Sequence, residues 1–237
     1  MLNANGDLSI VESTKNSSSG YWHYADSFTY NPAGAVTSMQ LGNGRWESTT
    51  FNSRLQPTQI ALGGVAGATD ALKLDYSYGT TANNGNVLSQ TITVPTVGTS
   101  TGFVAVQSYS YDSLNRLKDA TENVTLTGGS AVQSWKQTFI FDLYGNRNFD
   151  EANTTTIPRS CGTSPNFTIC TPDEKKYNPT INVSNNNRLD TSQGYSFDSS
   201  GNLTQDTDSN TFTYDGENKQ VEVKNSSNVT IGQYVYL

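Results

Sequence analysis

Charge is scarce in this chain. Asp, Glu, Lys and Arg supply 15% of its 237 residues, against about 25% in an ordinary globular protein. The 14 basic side chains are scattered singly under a net charge of -7, whereas a nucleic-acid groove needs clustered cations to neutralise phosphates, so nucleic acid is excluded as a partner. Histidine occurs once, as His23, and cysteine twice, as Cys161 and Cys170. Two thiols and one distant imidazole fall short of the four ligands of a structural zinc site. No apolar run approaches the roughly 18 residues of a helical membrane span. The first residues, Met1 to Leu8, lack the basic and apolar regions of a signal peptide. No segment keeps a 3.6-residue period between caps, so almost no helix is expected.

In place of charge the chain carries Asn, Ser, Thr and Gly, together with 13 Tyr and 9 Phe. The aromatics offer enough apolar area for a fold, which sets the chain apart from a disordered polar one. The composition predicts an all-β protein rich in turns.

The aromatics recur in a pattern. Tyr195, Phe197, Asp198 and Gly201 are followed by Phe212, Tyr214, Asp215 and Asn218, and the same spacing appears at Phe28, Tyr30, Asn31 and Gly34, at Tyr109, Tyr111, Asp112 and Asn115, and at Phe139, Phe141, Asp142 and Gly145. Residues two apart on a strand face the same way, so each ring pair lies on one side of a half-buried strand. Asp or Asn at the head of a type I turn accepts a backbone hydrogen bond two residues on, and Gly or Asn three residues on tolerates positive φ. The strand therefore returns as a hairpin with a bulge. With aromatics at 11% of residues, chance supplies well under one such match, so the pattern is an internal repeat. Asn52-Ser53-Arg54-Leu55 reads as a further copy whose turn is one residue short. Leu72 to Gly79 alternates as another strand, with Asn83 to Asn86 as its turn; Ala61 to Asp70, without aromatics, reads as a surface loop.

Aromatic-x-aromatic-Asp followed by a Gly-Asn-Leu-like turn, as in Tyr195 to Leu203 and Tyr109 to Leu117, resembles the YD repeat of Rhs polymorphic toxins, of teneurins and of the shell components of insecticidal toxin complexes. The resemblance covers most of the chain, with gaps near 61 to 73 and 150 to 186. It implies successive antiparallel β-hairpins forming a curled or spiralling sheet, here one unit spanning 1 to 237, with an inserted Cys- and Pro-containing loop at about 150 to 186. It also implies a non-catalytic wall of a secreted or surface-displayed bacterial protein, enclosing a toxin domain or other cargo, with neighbouring repeats as first partners. The family's Asp-Pro-x-Gly self-cleavage region has no counterpart in these residues. Asn5 to Leu8 at one end and Tyr234 to Leu237 at the other read as halves of repeats, which suggests a segment of a longer protein. Unpaired sheet edges invite self-association. The alternative is a surface module whose aromatic face, or whose Cys161 to Cys170 loop, contacts glycan or a partner protein.

Four other features suggest chemistry. Gly98-Thr99-Ser100-Thr101-Gly102 matches the nucleophile-elbow string, but no helix follows and the one histidine precedes it. Asp206, Asp208 and Glu217 imitate the spacing of a calcium loop, yet the required sixth-position glycine is Thr211. The repeat aspartates are turn caps rather than paired acids, and His23 has no recognisable catalytic partner. No enzyme activity, metal or cofactor is expected. Cys161 and Cys170 are a disulfide candidate, which would close a short loop and contribute roughly 2.5 to 3 kcal/mol; two free structural thiols are the other possibility. Sequons at Asn123, Asn166 and Asn202 matter only where the host glycosylates.

Overall fold

The computed structural model describes residues 1–14, 20–157, 159–164, 167–172, 177–184 and 186–236, with backbone alone for 159–164 and 167–172. The expected loop at 15–19, Pro158, Pro165, Asn166 and Leu237 lie outside the described residues. Two compact units divide the chain, Met1–Gln137 and Thr138–Leu237.

The first unit is a meander. Its strands are β1 (Val11–Thr14), β2 (Tyr21–Tyr30), β3 (Val36–Leu41), β4 (Trp46–Phe51), β5 (Pro57–Gly63), β6 (Leu72–Ser77), β7 (Ser89–Val94), β8 (Phe103–Tyr111) and β9 (Leu117–Leu126). β10 (Val132–Phe141) crosses the unit boundary and pairs with β11 (Arg147–Phe149). Strand order follows chain order from β1 to β11 with no crossover, and the end strands do not meet to close a barrel. The residues expected as a loop at Ala61 to Asp70 begin inside β5, because Ala61 lies opposite both Ser48 and Lys73; the loop proper starts at Gly64.

Register sorts the side chains by face, since directly opposite residues share one. Across β5 to β9, Ile60, Leu74, Ile92, Ala105 and Val124 face one another in turn, while the adjoining row is Gln59, Asp75, Thr91, Val106 and Asn123. One face is thus apolar and the other polar. Neither is covered by a second layer within this unit's strands, so burial stays partial. Among the described residues no large side chain is fully buried, and the most buried apolar side chains include only small ones in this unit: Ala25, Ala61, Ala105 and Ala120.

The second unit adds three small sheets. β12 (Arg159–Ser164) pairs with β13 (Phe167–Pro172), and β14 (Ile181–Asn182) with β15 (Arg188–Leu189). A 3-10 turn at Thr191–Gln193, capped by Asp190, leads into a five-stranded meander of β16 (Ser196–Phe197), β17 (Leu203–Gln205), β18 (Thr211–Tyr214), β19 (Gln220–Lys224) and β20 (Thr230–Gln233). Within the stretch expected as an inserted loop, β12 and β13 form a two-stranded sheet of their own. The fold class is the expected one: antiparallel hairpins in sequence.

Candidate functional site: the repeat corners

One corner recurs in both units. Heads at Asn3, Asn31, Asn52, Asp112, Asp142, Asp198, Asp206, Asp215 and Asn225 each donate a backbone N–H to the carbonyl four residues on and accept one at their own carbonyl from three residues on. The third residue after each head has φ between +59° and +93°. The head's side-chain oxygen closes the corner by accepting the N–H groups two and four residues ahead at 2.8 to 3.0 Å, as at Asn31, Asp112, Asp142 and Asp215. One acceptor thus satisfies two donors that the tight reversal leaves unpaired. Leu41 to Arg45 keeps the backbone of this corner, but there Asn43 supplies the side-chain oxygen, to Arg45 alone.

The ring pairs stand where the spacing placed them. Phe28 and Tyr30 on β2 stack at 6.4 Å between centroids and 17° between planes. In every pair, including Tyr109 with Tyr111, Phe212 with Tyr214 and Tyr195 with Phe197, the rings are at least half-buried and the residue between them is exposed; Phe139, at 5%, is the most buried ring of the set. The rings also do something the pattern does not reveal. Several of the tyrosine hydroxyls cross to the carbonyl that follows an earlier corner: Tyr30 to Leu8, Tyr78 to Pro57, Tyr214 to Leu203 and Tyr236 to Gln220, each acceptor five residues after the head of that corner. Tyr111 reaches Val87, just past the Asn83 to Asn86 turn, at 2.8 Å. A phenol has an apolar body and a polar tip, so one side chain packs on the sheet and ties two repeats. Phe141 and Phe197 hold the same position without the tie.

Amides link the corners sideways. Gln56 and Asn83 exchange hydrogen bonds at 3.1 and 2.7 Å, Asn84 and Asn86 both donate to Asn115 Oδ1, Asn146 pairs with Asn187, and Asn202 donates to Asn218.

Three heads missed or misread in the sequence follow from this geometry. Asn52 heads a full-length corner, not a short one: Leu55 itself takes the left-handed slot at φ +61°. Asp206, read for its calcium-like spacing, heads a corner through Asp208 and Asn210, with Ser209 at φ +62°. Asn225 heads another with Asn228 at +59° and no ring pair immediately before it. Leu55 is the costly one, because an L-residue with a bulky side chain in this region is strained by about 1 kcal/mol. Leu55→Asn is expected to raise stability by about 0.5 to 1 kcal/mol, read as a melting-temperature rise of about 1 to 4 °C.

Three corner carboxyls are held below their ordinary value of 3.8: Asp112 first by the Arg116 N–H and then by its guanidinium, Asp142 and Asp198 first by the amides of Asn146 and Asn202. A depressed carboxyl contributes stability that is complete above its unfolded value and is lost as pH falls through the folded one. Stability should therefore be level from pH 7 to 5 and fall below about pH 4. Replacing all three by Asn, the residue that already heads the corners at positions 3, 31, 52 and 225, should make that acid limb shallower, the remainder coming from Asp26, Asp70, Asp75 and Glu222, which are also held low; urea titrations from pH 7 to 2 on both proteins measure it.

His23 lies between Glu12 at 3.2 Å and Asp26 at 3.1 Å, where β1 pairs with β2. Among the described residues no cluster of three metal-ligating side chains occurs. The Gly98 to Gly102 string is a tight loop: Val97 and Ser100 exchange backbone hydrogen bonds around Gly98 at φ +58°. Cys161 and Cys170 stand directly opposite in the β12–β13 register.

Over 94% of its length the chain superposes on part of a Photorhabdus luminescens Tc holotoxin pore chain at a TM-score of 0.63 and 15% identity. The chain has the fold of that stretch of the toxin-complex chain. A chain of the TcdB2-TccC3-TEV crystal structure matches over 95% at a TM-score of 0.52, also at 15% identity. The YD-repeat resemblance is thereby borne out at the level of fold. The chain spans 11% and 12% of those two chains. No family model and no curated protein matches the sequence.

Proposed function

We propose that this chain is wall: a non-catalytic, structural stretch of a Tc-like shell, in which all 237 residues act as one run of a longer repeat array. The observation that carries this reading is the corner itself, repeated in both units and tied to its neighbours by tyrosine hydroxyls and amide pairs. Such bonds make each hairpin depend on the next, which suits a rigid partition and leaves the repeat side chains occupied with structure rather than chemistry. The one-layer sheet supports the same reading, because an apolar face left uncovered within the strands of the first unit can face enclosed cargo. We further infer, from the likeness to a chain of the Tc holotoxin pore, that the parent is secreted and that its cargo is a toxin domain. No helix among the described residues is long and apolar enough to cross a membrane.

The alternative of a glycan-contacting surface module gains little from the ring pairs, which are half-buried and bound into corners. The test uses the complete parent polypeptide, with one protease site engineered into the cargo and another at the corner tip Leu143-Tyr144, where the leucine is 101% exposed. The wall reading expects cleavage at the tip and protection of the cargo. Equal cleavage of both would overturn it.

A further inference from the structure

We propose that a groove on the polar face of the first unit binds a neutral saccharide. The groove holds about 670 Å³ and runs over β3 and β4 beside the corners headed by Asn31 and Asn52. Register places Thr29, Ser38 and Ser48 directly opposite in turn, with Thr50 two residues further along the same face, where its hydroxyl lies 3.2 Å from that of Thr58, so four hydroxyls line one side of the groove, each with donor or acceptor capacity beyond its protein partner. Thr29 Oγ1 lies 2.7 Å from Ser38 Oγ and 2.8 Å from Thr37 Oγ1, forming a connected hydroxyl chain. The loop after β5 forms one wall, fixed where Gly67 N–H donates to Ser48 Oγ at 2.8 Å.

The chemistry of the lining selects the ligand. It contains no Lys, Arg, Asp or Glu, so nothing rewards a phosphate, a carboxylate or a cation. Hydroxyls both donate and accept, which suits a ligand whose own polar groups are hydroxyls. The amide oxygens of Asn31 and Asn52 are already taken by their corners. β3 and β4 are paired on both sides, so a peptide cannot enter as an added strand. Threonine methyls, Ala66 and Leu55 supply the apolar contact that the C–H face of a sugar ring requires.

Leu55 is the second, independent sign. Among the nine corners it alone puts a large apolar side chain in the left-handed slot, 52% exposed, at the rim of this groove. Backbone strain of this kind persists where function retains it. Saturation-transfer NMR on the chain with a panel of neutral mono- to trisaccharides of hexoses and N-acetylhexosamines tests the site. Transfer to at least one sugar is expected, with affinity falling about tenfold in Ser38→Ala/Thr50→Val. Leu55→Asn should weaken binding several-fold while raising the melting temperature, which separates lost contact from lost fold. Absence of transfer across the panel, or binding unchanged in both variants, would overturn the proposal.

Discussion

Gly102→Ala is expected to lower the melting temperature by about 6 to 12 °C, a loss of roughly 3 kcal/mol. Gly102 ends the connection from β7 to β8, and a methyl group there would lie 2.4 Å from the Val94 carbonyl oxygen, 2.5 Å from the Thr96 nitrogen and 2.6 Å from the Pro95 carbonyl carbon. All three are backbone atoms, so no rotamer change relieves the contact. The glycine is also bonded on both sides: its N–H donates to Thr96 Oγ1 at 2.9 Å and its carbonyl accepts the Thr127 N–H at 3.1 Å. Moving it disturbs the start of β8 and the end of β9 together. Gly216→Ala is the matched control, since a methyl there meets nothing within 4 Å, and its effect should stay within about 0.5 kcal/mol. Thermal melts followed by circular dichroism compare the two; equal melting temperatures would mean that the β7–β8 connection is not packed as described.

Reduction of the second unit should cost nearly as much, though locally. Cys161 and Cys170 oppose each other across β12 and β13, and opposite residues of an antiparallel pair have Cα atoms about 4.5 to 5.5 Å apart, inside the range a disulfide spans. An isolated two-stranded hairpin is marginal in water. A bridge closing this loop would contribute about 2.5 to 3 kcal/mol, enough to decide whether the hairpin forms. Under oxidising conditions neither thiol is expected to alkylate; after reduction both should, and amide protection across 159–172 should collapse while β16 to β20 keep theirs. Alkylation of both thiols before reduction would show an unbridged pair.

How much of this was legible depended on reach along the chain. The corners at Asn31, Asp112, Asp142, Asp198 and Asp215 could be read because head and left-handed slot sit three residues apart and the slot holds Gly or Asn, whose preference is intrinsic. The corners at Asn52 and Asp206 are harder to read, because Leu55 and Ser209, at φ +61° and +62°, have no such intrinsic preference. The strand period placed the ring pairs, but the ties from Tyr30, Tyr78, Tyr111, Tyr214 and Tyr236 join residues 11 to 24 positions apart, and no local pattern encodes such a pairing. For the same reason the self-pairing of β12 with β13 was hidden behind its prolines and cysteines. The hydroxyl groove escaped notice because Thr29, Ser38, Ser48 and Thr50 are unremarkable singly and meet only through register.

Residue-resolved amide exchange by NMR tests the central claim most directly. In each corner the N–H groups of the head and of the residues two, three and four ahead are bonded, while the residue one after the head has no N–H partner within the corner; after Asn31 it is Pro32, which carries no N–H. Ala4, Ser53, Ser113, Leu143, Ser199, Thr207, Gly216 and Ser226 should therefore exchange fast as single sites, each flanked by protected amides. Protection in continuous helical blocks, or fast exchange spread evenly through these corners, would contradict a chain built from one repeated hairpin.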